Sequence, residues 1–298
     1  MTKCPACLER FPPREFNGLA AHFIHRAGSS DAGHVRWLNQ NVSRKQLPAT
    51  DLSARLEEFF RLDSAPVSAW IKRRFIDKFY GKAPHPFPIA LQHPSRATLL
   101  GYVFEHQHFL RQWVRSCAYI MARTDEVEVA RYEIDNLNTE FGGFGTPSPP
   151  HYELLLRMGE SLGVNRDRIL RTPPLPTTAT AIQEWDRIAQ NEPWVEAMAA
   201  MHGLELIANR ELVNEGASIR YFDPQILEGR TVTAETQAFL REGYEADVGH
   251  SEEALALVDR FAQGPGAVEG VQATFLRSAD LFDDYLTARL ERAAEFEG

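Results

Sequence analysis

The chain has 298 residues, 44% of them hydrophobic, and a formal net charge of −9. That length can bury a large core, no apolar run approaches the roughly 20 residues needed to span a bilayer, and an acidic body argues against sequence-independent nucleic-acid binding, which needs clustered cations. Three cysteines make no disulfide framework, and the N-terminal MTKCPACLER lacks the apolar stretch of a secretory signal, so a reduced, cytoplasmic protein without membrane or nucleic-acid partners is expected.

Residues 1–45 form a separate compositional unit, net basic with seven Lys/Arg against three Asp/Glu, and they hold three of the ten histidines. Cys4-x2-Cys7 presents two thiolates on a tight turn, and His22 follows after the apolar pair Phe11 and Phe16. A unit this small cannot bury a core of its own, and tetrahedral zinc needs four such nitrogen and sulfur ligands. Cys4, Cys7, His22 and His34 are the expected zinc ligands. His25 is the alternative for the fourth place, although His22-x2-His25 is tighter than the usual spacing. Ser30 and Asp31 ahead of His34 are a helix-start signal. The segment resembles the C2H2 zinc finger over residues 4–34, with an irregular histidine spacing. A single finger buries too little to specify a DNA site, so a zinc-stapled appendage is the expected role.

After a proline-marked break at QLPAT (46–50) the chain turns helical. Helices are expected over 51–62, 66–80, 95–123, 126–141, 149–163, 179–190, 193–214, 233–263 and 267–296, separated by Pro- and Gly-rich segments such as KAPHPFP, GGFGTPSPP, TPPLPTT and GPG. No alternating β-branched run is long enough to argue for a sheet. The pattern reads as an all-α bundle with an interior site, with a domain at 50–298 following the module at 1–45.

Several apolar stripes carry polar residues where hydrocarbon is expected. In the helix over 95–123, His106 falls in line with Leu99, Val103, Leu110 and Trp113, while Glu105 and His108 lie on a more polar stripe. Cys117 sits on an apolar stripe and reads as inert core. Glu140 follows Ile134 and Leu137; His151 shares a face with Leu154, Leu155, Met158 and Leu162; Glu205 aligns with Met198, Met201, Ala208 and Leu212, with Glu211 as an alternative. Asp247 and His250 interrupt the stripe Leu240, Gly243, Ala254, Leu257, Val258, Phe261. An unpaired buried carboxylate costs several kcal/mol, so such a pair calls for a metal ion or a bound polar substrate. Three carboxylates and two imidazoles inside a helical bundle are the donor type of a non-haem iron or manganese site.

The segments NLNTEFGG and HYELLLRMGESLG (136–163), GLELIAN (203–209) and YEADVGHSEEAL (244–255) resemble the ligand-bearing helices of the haem-oxygenase-like diiron oxidases, whose fold is shared by the PqqC/TenA-type proteins. The resemblance covers about residues 50–265 and implies a haem-oxygenase-like bundle, often dimeric, with Glu140, His151, Glu205, Asp247 and His250 as catalytic iron ligands. The resembled helix reads H-x3-D-x2-H, and here its first histidine is Gly243. A site short of one imidazole holds one metal rather than two or recruits a substitute, Glu105, His106 and His108 being nearest. The resemblance further implies an O2-dependent oxidase or oxygenase acting on a small amine- or carboxylate-bearing molecule, for which Arg111, Arg115 and Arg157 are candidate carboxylate holders. Two other functions compete: a PqqC/TenA-like enzyme without metal in the helical domain, using the same side chains as acid and base, and a zinc-finger regulator whose helical body senses a ligand.

Overall fold

Helix α6 (Arg96–Arg123) runs through the middle of the molecule, and 18 of its side chains, including Leu99, Val103, Leu110, Trp113 and Ile120, are buried. A helix apolar nearly all round must be surrounded by others. In this computed structural model, which describes residues 1–142 and 149–297, with the side chains of residues 245–248 and of Pro265 left out, the helices around it are α7 (Val127–Leu137), α8 (His151–Ser161), α10 (Pro176–Asn191), α11 (Trp194–His202) and α13 (Pro265–Ala294). Helix α12 (Ala234–Phe261) packs on α8 and α11. The shorter α4 (Val67–Phe79), α5 (Pro86–Ala90) and α9 (Arg166–Arg171) fill the flanks. The body is the expected all-α bundle, and no helix among the described residues is long and apolar enough to cross a membrane.

Local sequence sets the ends. Ser95 caps α6 by accepting from the Thr98 amide, Thr233 caps α12 through the Thr236 amide, and α10 and α13 each begin with proline in the first turn. Helices α6 and α13 cross so closely at Gly101 that a Cβ there would lie 2.1 Å from the Arg289 carbonyl oxygen and 2.8 Å from the Ala293 nitrogen. Only a residue with no side chain permits that crossing.

Two expected helices stop short, and both breaks matter to the interior. The helix expected over 126–141 ends at Leu137, and Asn138–Gly142 forms a π turn. The buried face of α7 is Val129, Tyr132, Glu133 and Asn136, whereas Ile134 is 53% exposed; Glu140 is therefore directed inward by the π turn and not by the Ile134–Leu137 face. The helix expected over 193–214 ends at His202, and a 3-10 turn, Gly203–Ile207, carries Glu205.

The first 41 residues fold as an antiparallel pair, β1 (Thr2–Lys3) and β2 (Arg10–Phe11), followed by α1 (Phe16–Gly28) and α2 (Ala32–Asn41). Phe16, Leu19, Ala20 and Phe23 of α1 are buried, and α1 packs on α3 (Ala49–Phe60). Lys3 is buried and paired with Glu192 (2.6 Å) and Glu196 at the start of α11; Thr2 bonds Glu269 near the start of α13. Arg36 of α2 reaches Asp283 at 2.6 Å and Asp284 on α13.

Candidate functional site

In the N-terminal module, donor atoms of Cys4, Cys7, His22 and His34 all lie within 4.8 Å of one another. His22 Nε2 is 3.0 Å from His34 Nε2 and 3.5 Å from Cys7 Sγ, close to the separations of roughly 3.3–3.8 Å set by zinc bonds of ~2.0–2.3 Å in a tetrahedron. The other ring nitrogens face carboxylates: His22 Nδ1 is 3.3 Å from Glu9 and His34 Nδ1 2.9 Å from Asp31. That outer contact fixes each ring with Nε2 inward. Burial and the neighbouring thiol push Cys4 up, while the hydrogen bond from Cys4 holds Cys7 down; a cation between them lets both ionise. The set fits zinc. His34, from the first turn of α2, completes it, and His25 is not part of the cluster. The two histidines come from different helices, which explains their irregular spacing.

The body holds a partly open cavity of about 60 Å3 lined by residues that include Tyr102, His106, Trp113, Glu140, His151, Glu205, Tyr221, Phe239, Gly243 and Arg289. Three of the five expected iron ligands, Glu140, His151 and Glu205, therefore share one wall system. His151 Nδ1 is 3.2 Å from Glu140 Oε1, and Glu140 Oε2 is buried without a partner among the described residues. Burial works against a charged His151, yet Glu140 outweighs it and raises the imidazole. Glu205 is anchored from behind: Asn136 Nδ2 donates to its Oε1 at 3.1 Å, and the Tyr132 hydroxyl oxygen lies 3.5 Å from its Oε2. Gly243 lines the cavity at the place where the resembled helix has its first histidine. Asp247 falls outside the described side chains. His250 is half-buried and does not line the cavity; it lies on the face of Gly243 seven residues on, about 10 Å along the helix. Its backbone carbonyl accepts from the Tyr132 hydroxyl at 3.1 Å.

Several alternatives point elsewhere. Glu105 is buried but ion-paired with Arg292 at 2.7 Å, His108 meets the Thr172 carbonyl at 3.0 Å, and Glu211 is exposed and bonded to Asn214. Of the substitutes, only His106 lines the cavity. Arg111, Arg115 and Arg157 are on the surface, the last two paired with Asp186 and Glu153. Helix side chains four apart project along one face, and those faces of α6 and α8 turn outward.

Two groups went unnoticed in the sequence. His202, fully buried at the end of α11, has Nε2 2.9 Å from Glu133 and Nδ1 3.4 Å from Glu205. Burial opposes its charge, but the two carboxylates raise it to about 10, so it bridges them as an imidazolium. Cys117 and Glu133 lie beside it, and burial pushes the Cys117 thiol well up, in keeping with an inert core thiol. Arg289 of α13 is 1% exposed and lines the cavity with Tyr221 and Tyr285 on its guanidinium. The signal was present: Phe282, Tyr285, Leu286, Arg289 and Ala293 form one helical stripe with a cation in its middle.

Glu140 and His151 are in contact and Glu205 lines the same cavity, but the three do not bring one donor atom each within 4.8 Å of one another; in the body that spacing is met, among the described residues, by Cys117, Glu133 and His202. The donor types facing the cavity, two carboxylates and an imidazole, are those an iron or manganese ion takes, and closing on one ion would require them to draw together. They supply one imidazole where a dinuclear site of the resembled kind needs more.

Residues 1–61 match the C2H2 type zinc-finger family, and residues 70–292 match the TENA/THI-4/PQQC family. Among solved structures, the chain is similar to a domain of unknown function with a heme oxygenase-like fold from Shewanella denitrificans, at 16% identity and a TM-score of 0.57 over 78% of this chain and 92% of that one. It is also similar to a TenA homologue from P. horikoshii (11% identity, TM-score 0.57, 76% and 95% covered). A TenA homolog from Pseudomonas syringae gives 14% identity and a TM-score of 0.55, with 84% and 99% covered. These likenesses establish the heme oxygenase-like fold. No curated protein matches the chain. With three-quarters of its length matched, the chain belongs to the TENA/THI-4/PQQC family and carries a C2H2-type zinc-finger segment at its N-terminus.

Proposed function

We propose that the protein is an O2-dependent oxidase or oxygenase with one iron or manganese ion in the helical body, acting on a small amine- or carboxylate-bearing molecule. The observation that carries this reading is that Glu140, His151 and Glu205 line one aromatic-walled cavity, with Glu140 Oε2 left unpartnered among the described residues. Those three side chains would hold the ion, and Asp247 and His250 of α12 are the further ligands that the resemblance implies. A bound iron supplies dioxygen chemistry; the chain supplies everything else. Asn136 and His202 fix the Glu205 carboxylate in place. Phe109, Trp113, Phe239 and Phe282 keep water from the interior.

One observation favours a second reading. Glu140 and His151 already hydrogen-bond each other, and Gly243 withholds an imidazole, so the same pair can serve as acid and base without a metal.

Metal content of anaerobically purified protein separates the two. The oxidase reading expects about one zinc plus iron or manganese per chain, the second lost in Glu140→Gln and Glu205→Gln with zinc retained. Zinc alone, unchanged in both variants, removes the oxidase reading and leaves metal-free catalysis. The docked state of the N-terminal module, with α1 laid on α3 and Lys3 buried in the body, supports its reading as a structural appendage over a nucleic-acid reader.

A further inference from the structure

Arg289 is a buried cation without a counter-charge among the described residues. Its Nη1 donates to the Tyr221 hydroxyl at 2.8 Å, and its Nη2 donates to the Tyr285 hydroxyl at 2.6 Å and to His106 Nδ1 at 2.9 Å. Its Nε–H has no partner among the described residues. The guanidinium carbon sits 4.1 Å from the Tyr102 ring centre, 4.5 Å from Tyr285 and 4.9 Å from Phe87. No carboxylate among the described residues forms an ion pair with it. His106 adds no negative charge: accepting from Arg289 fixes Nδ1 as its bare nitrogen, and the ring is a neutral imidazole. Burying an ion costs several kcal/mol unless it is paired, and aromatic faces offset only part of that. The other two buried arginine and lysine cations among the described residues differ on this point. Arg292, one turn on, has Glu105, and Lys3 has two glutamates.

Arg289 also occupies a defined position relative to the acidic wall. It touches His106, and the His106 ring centre is 6.3 Å from that of His151, which holds Glu140. The cavity is thus cationic at one end and carboxylate-bearing at the other, with Phe239 and Phe109 between.

We propose that Arg289, with the hydroxyl of Tyr221 beside it and Tyr285 holding its guanidinium in place, is the seat of the substrate's carboxylate, and that the substrate is a short monocarboxylic acid without an α-ammonium group. This rests on the reading of the cavity as the substrate site, not on the identity of any metal there. A single guanidinium balances one negative charge, which selects a carboxylate over a phosphate dianion. An ammonium beside that carboxylate would be pressed against the guanidinium and its aromatic walls with no carboxylate to receive it. The small cavity volume selects a short apolar body, whose far end lies toward Glu140, His151 and Glu205.

The test is binding to the full-length protein, by calorimetry and thermal shift, of butyrate, butyramide, 2-aminobutyrate and inorganic phosphate. Butyrate is expected to bind at least about tenfold more tightly than the other three, and Arg289→Met to abolish that preference while retaining its metal content. Tyr221→Phe with Tyr285→Phe keeps the charge but loosens its hold, and weakens butyrate without favouring butyramide. Butyrate no better than butyramide in the unaltered protein overturns the proposal whatever the variants do, and so does butyrate binding that survives Arg289→Met. The two readings fail separately. Arg289-dependent butyrate binding in protein with zinc alone keeps the seat and removes the oxidase; iron or manganese lost in Glu140→Gln without any butyrate preference keeps the metal and removes the seat.

Discussion

At the scale of single residues, the buried charge of Lys3 shows how tightly the interior pairs its ions. Lys3 is balanced locally by Glu192 and Glu196, with side chains at most 5% exposed. Removing one partner of such a buried pair costs about 3–5 kcal/mol. Lys3→Met is therefore expected to lower stability by that order, read as the shift of the urea unfolding midpoint; a shift below about 1 kcal/mol would show that water reaches the two glutamates. Histidines supply a pH prediction. Burial lowers His85 despite Asp283, and burial together with Arg289 and His151 lowers His106 well below its usual value. Each takes up a proton more readily unfolded than folded, so its contribution to stability is full above the unfolded pKa near 6.5 and is lost as pH falls toward the folded value. Stability should drop below about pH 6.5 by up to ~1.4 kcal/mol per pH unit for each such group. His85→Asn should flatten that slope relative to the unaltered protein; an unchanged slope would assign the acid sensitivity elsewhere, the zinc ligands included.

Helices and turns decide which side chains reach the interior. The π turn at Asn138–Gly142 and the 3-10 turn at Gly203–Ile207 each deliver one glutamate that a continuous helix would aim differently. The α6–α13 crossing does the same for Arg289, whose own backbone carbonyl is the atom nearest a Cβ built on Gly101. Backbone cannot yield as a flexible side chain can, so Gly101→Ala should force the helices apart and cost at least about 1–3 kcal/mol. The same change should weaken the butyrate preference, since it displaces the residue that carries the guanidinium. A fully stable Gly101→Ala protein with unaltered binding would mean that the crossing tolerates separation and does not set the position of Arg289.

The whole molecule joins a zinc-dependent module to a helical body through contacts at the starts of α11 and α13, the helices that lead to His202 and to Arg289. Zinc folds a unit that has too little core of its own, and the unit in turn covers those helix ends. Cys4→Ser with Cys7→Ser should lose about one zinc per chain and also lower the melting temperature of the body by roughly 5–10 °C, as expected for a loss of a few kcal/mol in a domain this large. Loss of zinc with an unchanged melting temperature would make the module an independent appendage. Much of this architecture could be read from the chain alone. Helical periodicity with Pro and Gly punctuation marked most of the long helices, because one apolar face must find a core wherever it packs. The zinc ligands were legible because soft donors at short spacing have few other uses, and His151 was legible as the polar member of an apolar stripe. Tertiary structure alone decided the rest. Which carboxylates meet depended on local breaks in helix geometry, where a shift of one residue turns a side chain by 100°. Glu140 and Glu205 therefore reach the cavity by turns that the period did not announce, while Glu105 finds Arg292 and Glu211 finds solvent. Arg289 shared the sequence signature of a buried polar residue with many others, and only the packing of α13 against α6 left it without an anion among the described residues.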